Sequence, residues 1–401
     1  MIKAILFDMD ETLVQLDADQ FAAFLGKALV KTALQQYPAH DPKALGEGFN
    51  RALATLSANL DPTRTNTEIY GEAIATELNL TPAEVLSLSE KFYGEGGTYL
   101  TFPGPVSAVP GAALALNTAL ARGYAVVIAT LPIFPRPAIV QRLKWAGLDS
   151  TLPFKLITDI DQMHFYKGHP HYYEEILARL GVDADEAIMV GNNPVEDTLP
   201  AQKAGLNTFW IGETLPDGLT PDGHGTLEDF TAKLADGWLN TLTARPNTPA
   251  QLEPRFRGNI AAAFSIIAEM PDEFWNQHPD PQEWSPLEII CHLRDRETQV
   301  QRPRLERILN EDNPFLTPPK EPPAPGECAL SSENGKTALY QWWDERCQTI
   351  AFLNSLPPEA FARPARHSIF GPTTLLEMAN FTARHDRLHL TQLQQTLRQC
   401  K

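Results

Sequence analysis

The chain has 401 residues, a net charge of −17, and a composition that is 43% hydrophobic and 21% charged. That length suffices for two or three domains, each with its own core. The acidic balance argues against non-specific binding to nucleic acid or anionic membranes, and no apolar run reaches the length of a membrane span. The first strand begins almost at once, which leaves no room for a signal peptide. The four cysteines, Cys291, Cys328, Cys347 and Cys400, form no Cys-x-x-Cys pair and read as reduced thiols of a cytoplasmic protein.

From residue 1 to about 240, short apolar strands alternate with amphipathic helices. This predicts a parallel sheet covered on both faces. Strands are expected at Ile2–Phe7, Ala125–Thr130, Lys155–Thr158, Ala187–Val190 and Thr208–Ile211. An insert at residues 15–104 interrupts them and reads as helical throughout. Its apolar positions recur at helical spacing in Phe21, Phe24, Leu25 and Leu29, and again in Leu53, Leu56 and Leu60. Asp41 before Pro42 and Thr81 before Pro82 read as helix N-caps. Residues 241–251, with Pro246 and Pro249, read as a linker. Beyond it strand signals vanish. Helices are expected near 252–270, 285–311, 337–356 and 373–399, which suggests an all-α four-helix bundle over 252–401. A proline-rich loop, Asp312–Lys336, joins the second and third helices.

The first strand ends Phe7-Asp8-Met9-Asp10-Glu11-Thr12. Two carboxylates that close repel unless they share a proton or a cation. A Mg²⁺ ion and a phosphoryl group answer that need, with Asp8 as nucleophile and Asp10 as acid and base. The plainer reading is that both merely end a strand or cap a helix. Thr130 closes the second strand, where a hydroxyl serves either as a helix cap or as a donor to a phosphoryl oxygen. Lys167 lies in Tyr166-Lys167-Gly168, where a lysine is ordinarily a solvated loop residue. Gly191-Asn192-Asn193-Pro194-Val195-Glu196-Asp197 follows the fourth strand.

In this order, nucleophile, hydroxyl, lysine and acid resemble motifs I to IV of the haloacid dehalogenase (HAD) superfamily, over about residues 1–215. The resemblance implies an α/β Rossmann-like parallel sheet in a 1–240 hydrolase domain. Its core would be 1–14 and 105–240, and the insert 15–104 a helical C1 cap. It implies an aspartyl-phosphate on Asp8, proton transfer by Asp10, and contacts to the transferring group from Thr130 and Lys167. Mg²⁺ would be held by Asp8, the Asp10 carbonyl, Asn192 and Asp197. Asn192 stands where the family usually has an aspartate. Glu196 is either a compensating ligand or a helix cap. The substrate implied is a small phosphorylated metabolite.

In the C-terminal part, His385 and His389 stand at i and i+4, on one face of a helix and within reach of a common metal. Such pairs also arise by chance. On the second helix, Ser285-Pro286-Leu287-Glu288 is a capping box with proline at the first turn, and His292 then falls two turns in. Cys291 reads as a buried core thiol, and His367, in the loop before helix four, as a weaker fourth candidate. Trp284-Ser285-Pro286 with Glu288, Ile289, His292 and Leu293, together with His385 and His389, resembles the DinB-like (YfiT-like) metal-binding bundles. The resemblance implies one divalent ion, Zn²⁺ or Ni²⁺, on His292, His385 and His389, with open positions for water or a low-molecular-weight thiol. It also makes a homodimer plausible. Three functions remain open: an Mg²⁺-dependent phosphatase; thiol transfer or hydrolysis at the bundle metal, beside a degenerate ligand-binding HAD domain; or a non-enzymatic sensor and interaction module.

Overall fold

A computed structural model describes residues 1–268, 270–319, 324–326 and 334–400. The chain divides into two compact units, Met1–Tyr173 with Ala184–Arg245, and Glu174–Asp183 with Pro246–Lys401. Among the described residues no helix is long and apolar enough to cross a membrane.

The first unit opens with β1 (Ala4–Phe7) and β2 (Val14–Gln15), followed by helices α1 (Ala18–Gln36), α2 (Pro42–Ser57), α3 (Asn66–Leu78) and α4 (Pro82–Tyr93). Next come β3 (Ser107–Ala108), α5 (Ala112–Ala121), β4 (Ala125–Ile128), α6 (Arg136–Trp145) and β5 (Leu156–Ile157). Helix α7 (Pro170–Leu180) begins in this unit, and its residues from Glu174 on count with the second. The unit closes with β6 (Ala187–Gly191), α8 (Leu199–Ala204), β7 (Asn207–Ile211), β8 (Gly223–Gly225) and α9 (Leu227–Ala235).

Six strands form one parallel sheet in the order β5-β4-β1-β6-β7-β8. All four residues of β1 are buried, as a central parallel strand covered on both faces requires. Phe7 pairs with Ile128 of β4 and with Val190 of β6, so the carboxyl ends of these three strands lie level. Open α/β sheets bind their ligands at such ends. The sixth strand, β8, was not among the expected ones. Its Gly-His-Gly sequence offers no β-branched or aliphatic residue to betray it.

The insert holds four helices around their own core of Ala33, Leu45, Phe49, Ala52, Ile74, Leu78 and Leu88. Its N-caps form as expected. The Asp41 carboxylate accepts from the Ala44 N–H at 2.8 Å, and Thr81 and Glu84 complete a capping box. The insert is not helical to its base, because β2 and β3 pair antiparallel there. Two-residue strands are too short to show an alternating pattern.

The second unit contains α10 (Leu252–Ile267), α11 (Pro286–Arg296), α12 (Arg302–Asn310), β9 (Phe315–Leu316), α13 (Gly335–Asn354), β10 (Pro364–His367), β11 (Gly371–Thr374) and α14 (Leu375–Gln399). α10 and α11 each pack against α13 and α14. The helix expected over 285–311 is α11 and α12 joined through a π turn at Glu297–Gln301. The region also carries a small sheet, ordered β11-β10-β9, where strand signals seemed to vanish. Prolines and glycine in Pro364–His367 and Gly371–Thr374 mask its pattern. Only β9, Gly335–Lys336 and short stretches of the 312–336 loop are described, and Cys328 lies outside the described residues. Among the described residues Cys291, Cys347 and Cys400 form no disulfide.

The core of this unit is ionic as well as apolar. Arg346 is fully buried and donates to Asp386 and to Glu297, both at 2.7 Å. It also lies 4.4 Å from the Phe256 ring centroid. Glu174 is buried between Arg255 and Arg387. Removing one partner of a buried ion pair leaves the other charge desolvated and alone, at a cost of about 3–5 kcal/mol. Arg346→Ala is therefore expected to lower the second unit's stability by about that amount. Calorimetric unfolding of the full chain checks this, with the first unit's transition as internal reference.

Candidate active site and histidine cluster

Asp8 is the first residue after β1, and its N–H donates to the Val190 carbonyl at 2.9 Å. The next turn is tight. Leu13 and Val14 both donate to the Met9 carbonyl at 2.8 Å, and Glu11 takes a left-handed φ of 60°. Lys167, 1% exposed, bridges two carboxylates: it pairs with Asp8 and reaches Asp197 at 2.7 Å. The second Asp197 oxygen accepts the Asn193 N–H at 2.8 Å. Burial, reinforced by the Asp8 charge, pushes Asp197 up to about 7 against the pull of Lys167. Burial alone would lower Lys167, but the charges of Asp197 and Asp8 hold it well above its usual value.

Asp197 sits on a π turn, Pro194–Thr198, which Asn193 caps by accepting from the Val195 and Glu196 N–H groups. Asn193, not Glu196, is thus the cap; Glu196 instead accepts from the Tyr166 hydroxyl at 3.3 Å and, through its carbonyl, from Tyr173 at 2.6 Å. Thr130 is buried at the tip of β4, where its carbonyl accepts from Thr158 at 2.8 Å and Tyr172 at 2.9 Å. Asn192 ties the two acidic turns together, since its amide oxygen accepts the Thr12 hydroxyl at 2.9 Å. The helical insert closes on the loop carrying Lys167. The Asn66 and Thr67 N–H groups donate to the Met163 and Ile160 carbonyls at 2.7 and 3.0 Å, and the Asn59 amide to His164 at 3.0 Å.

Asp10 faces Arg142, a residue that sequence reasoning missed. The Arg142 side chain is fully buried and pairs with one Asp10 oxygen; the other, Oδ1, is buried with no hydrogen-bond partner. Burial raises the Asp10 pKa, the Arg142 charge opposes this, and the Asp8 charge adds to it. A signal for Arg142 existed: Ala138, Ile139, Arg142 and Leu143 share the buried face of α6. Three carboxylates, Asp8, Asp10 and Asp197, thus meet two cations, Lys167 and Arg142. The clustered carboxylate oxygens of Asp8 and Asp197 are donors that fit a hard divalent cation such as Mg²⁺.

In the second unit His292 of α11 meets His385 and His389 of α14, with ligand atoms all within 4.8 Å of one another. The Trp284 ring lies 4.7 Å from His292 and stacks on His389 at 5.9 Å. His389 Nδ1 lies 2.9 Å from the Gln392 side-chain oxygen, an arrangement that leaves Nε2 free for a ligand. Burial, with the neighbouring imidazoles, lowers His292 to about 2 and His385 to about 4, and burial lowers His389. Neutral imidazole is the ligating form, so this donor set fits a borderline divalent metal. His367 ends β10 rather than lying in a loop; its ring stacks on Phe370 at 4.2 Å, and it is not one of the clustered three.

Residues 2–205 match the haloacid dehalogenase-like hydrolase family. The chain belongs to that family. Residues 255–393 match the DinB superfamily. A phosphoserine phosphatase of Thermus thermophilus is 26% identical over 253 residues, 57% of this chain and 94% of that protein. Pyrophosphatase PpaX of Halalkalibacterium halodurans is 28% identical over 212 residues, 53% of this chain and 84% of that protein. The uncharacterized protein YuaE of Bacillus subtilis is 27% identical over 137 residues, 31% of this chain and 85% of that protein. The HAD half is thus a hydrolase with phosphatase relatives, and its sequence-predicted residues Asp8, Lys167 and Asp197 converge, with Asp10 and Asn192 in the same loops as Asp8 and Asp197 and Thr130 at the tip of β4.

Gly191 matters to this HAD site because a Cβ there would lie 2.2 Å from an Asp197 carboxylate oxygen. Gly191→Ala must displace that carboxylate. A shift of that size is expected to lower hydrolytic turnover about 10²-fold with little change in circular dichroism. Steady-state kinetics on the purified variant checks it.

Proposed function

We propose that the first unit is a phosphatase that acts on a small phosphorylated metabolite through an aspartyl-phosphate on Asp8. The observation that carries this reading is Lys167, buried between Asp8 and Asp197. A cation held there neutralises a nucleophilic carboxylate and an incoming phosphoryl group before reaction, and such preorganised charge dominates phosphoryl-transfer catalysis. Asp8 attacks phosphorus and the ester bond to the leaving oxygen breaks. Asp10, its pKa raised by burial against the pull of Arg142, gives its proton to that oxygen. Asp10 then takes a proton from the water that hydrolyses the acyl phosphate. Thr130 is placed to hold a phosphoryl oxygen. Asp8, the Asp10 carbonyl, Asn192 and Asp197 are the groups to hold Mg²⁺, which when bound supplies further charge neutralisation.

Wild type is expected to release phosphate from an aryl phosphate and from members of a metabolite panel, in an Mg²⁺-dependent way. Asp8→Asn is expected to lower this at least about 10³-fold, the scale of removing a nucleophile. No release by wild type, or release untouched by Asp8→Asn, refutes the reading.

A second activity, at a Zn²⁺ or Ni²⁺ ion on His292, His385 and His389, is favoured by the convergence of three imidazoles whose protonation burial disfavours. A three-histidine site leaves coordination positions for water or a thiolate. His385→Ala is expected to abolish stoichiometric metal binding, as read by elemental analysis. The pH dependence follows from the lowered imidazole values. Between the ordinary histidine value of 6.5 and the value of about 4 for His385, the unfolded chain binds more protons than the folded one. Metal-free protein is therefore expected to lose stability in its second unit as pH falls from about 6.5 toward 4. Thermal unfolding after chelation, compared with His385→Ala, checks the slope.

A further inference from the structure

Arg142 holds more hydrogen-bonding capacity than Asp10 uses. The side chain is 0% exposed, and its Nη1 pairs with Asp10. Its Nε and Nη2 are buried with no hydrogen-bond partner. These two nitrogens are not a random remainder. They form one edge of the guanidinium plane, the edge that grips a carboxylate through two parallel N–H bonds. Leaving buried donors unmade costs about 1–3 kcal/mol for a typical group and more for a charged one. A folded protein that keeps such an edge empty needs a reason for it.

The surroundings supply one. The guanidinium carbon lies 4.3 Å from the Phe134 ring centroid, in the loop after β4, and 5.5 Å from Phe21 on α1 of the helical insert. Two phenols lie close to the guanidinium, Tyr93 and Tyr99; the Tyr99 hydroxyl interacts with Arg142 but donates its hydrogen bond to the Ala138 carbonyl at 2.9 Å, and neither makes a hydrogen bond of standard geometry to Nε or Nη2. Arg142 therefore stands where the insert meets the sheet domain, beside the carboxylate assigned to protonate the leaving oxygen. We propose that the Nε–Nη2 edge of Arg142 binds a carboxylate of the substrate, and that the phosphatase selects phosphomonoesters carrying that carboxylate a short carbon link from the ester oxygen. This rests on the phosphatase reading above. Arg142 then acts as a specificity residue, holding Asp10 with one nitrogen and the substrate with two. A guanidinium that serves solely to pin Asp10 would show no such selectivity.

The test is binding of two unreactive phosphonates of similar size in the presence of Mg²⁺, 2-carboxyethylphosphonate and propylphosphonate, by calorimetric titration of the full chain. Wild type is expected to bind the carboxylated probe at least about tenfold more tightly, the scale of one charge-assisted bidentate contact. Arg142→Met and Arg142→Lys are both expected to reduce that ratio to near one, since lysine keeps the charge but not the planar edge. Equal binding of the two probes by wild type overturns the proposal without recourse to any variant, as does a ratio preserved in Arg142→Met. Turnover of aryl phosphate by wild type separates the cases. Turnover with no carboxylate preference sinks the specificity role alone, whereas no turnover and no phosphonate binding sink the phosphatase reading and this inference with it.

Discussion

The first unit depends on one buried cation. Lys167 stands between Asp8 and Asp197 with almost no exposure, and neither carboxylate is tolerable there as an anion without it. That requirement explains much of the local architecture. The loop after β5 must deliver a long side chain into the sheet's carboxyl edge. The turn after β6 must bring Asp197 over Gly191, where a side chain would not fit. The insert anchors to the same loop through backbone hydrogen bonds of Asn66 and Thr67. Charge balance thus helps to organise the loops at the sheet's carboxyl edge.

The second unit solves the opposite problem. Burial disfavours protonation of all three clustered histidines, and neighbouring imidazoles add to this at His292 and His385. Directly beside them, Asp386 is engaged by Arg346, which also holds Glu297. Two polar systems therefore sit side by side on α14, the cluster of imidazoles and an ion-pair network centred on Arg346, whose two Nη atoms donate to Asp386 and Glu297. Asn259 caps the charged system by donating to Asp386 at 3.1 Å. The separation keeps Asp386 committed to the arginine and leaves the imidazoles as the available donors.

The parallel sheet, the helical insert and the long C-terminal helices were legible because each is long or strongly periodic. So were Asp8 and Asp10, at a strand end, and His385 and His389, at helical spacing, whereas Lys167 reads locally as a solvated loop residue and only the order of the HAD-like motifs marked it. What escaped was short or disguised. β2, β3 and β9 have two residues each, and β10 and β11 contain proline. Arg142 escaped for another reason. A charged residue on a helix is read as solvated, and only its alignment with Ala138, Ile139 and Leu143 marked it as inward-facing. Its partner, Asp10, is 132 positions away, a pairing no local pattern reports.

The π turns at Pro194–Thr198 and Glu297–Gln301 carry a consequence for comparing relatives. A π turn accommodates one residue more than an α turn, often at a functional site. Four residues separate Asn192 from Asp197, and the last three of them lie with Asp197 in the wide turn. A chain with one residue fewer can therefore present the same carboxylate from an ordinary turn. In an alignment the two would differ by a gap, although in space the acid would stand in one place. The spacing of this motif is in that sense a property of helical winding, and counting residues between acids is a poorer guide to kinship than asking which oxygen reaches the lysine.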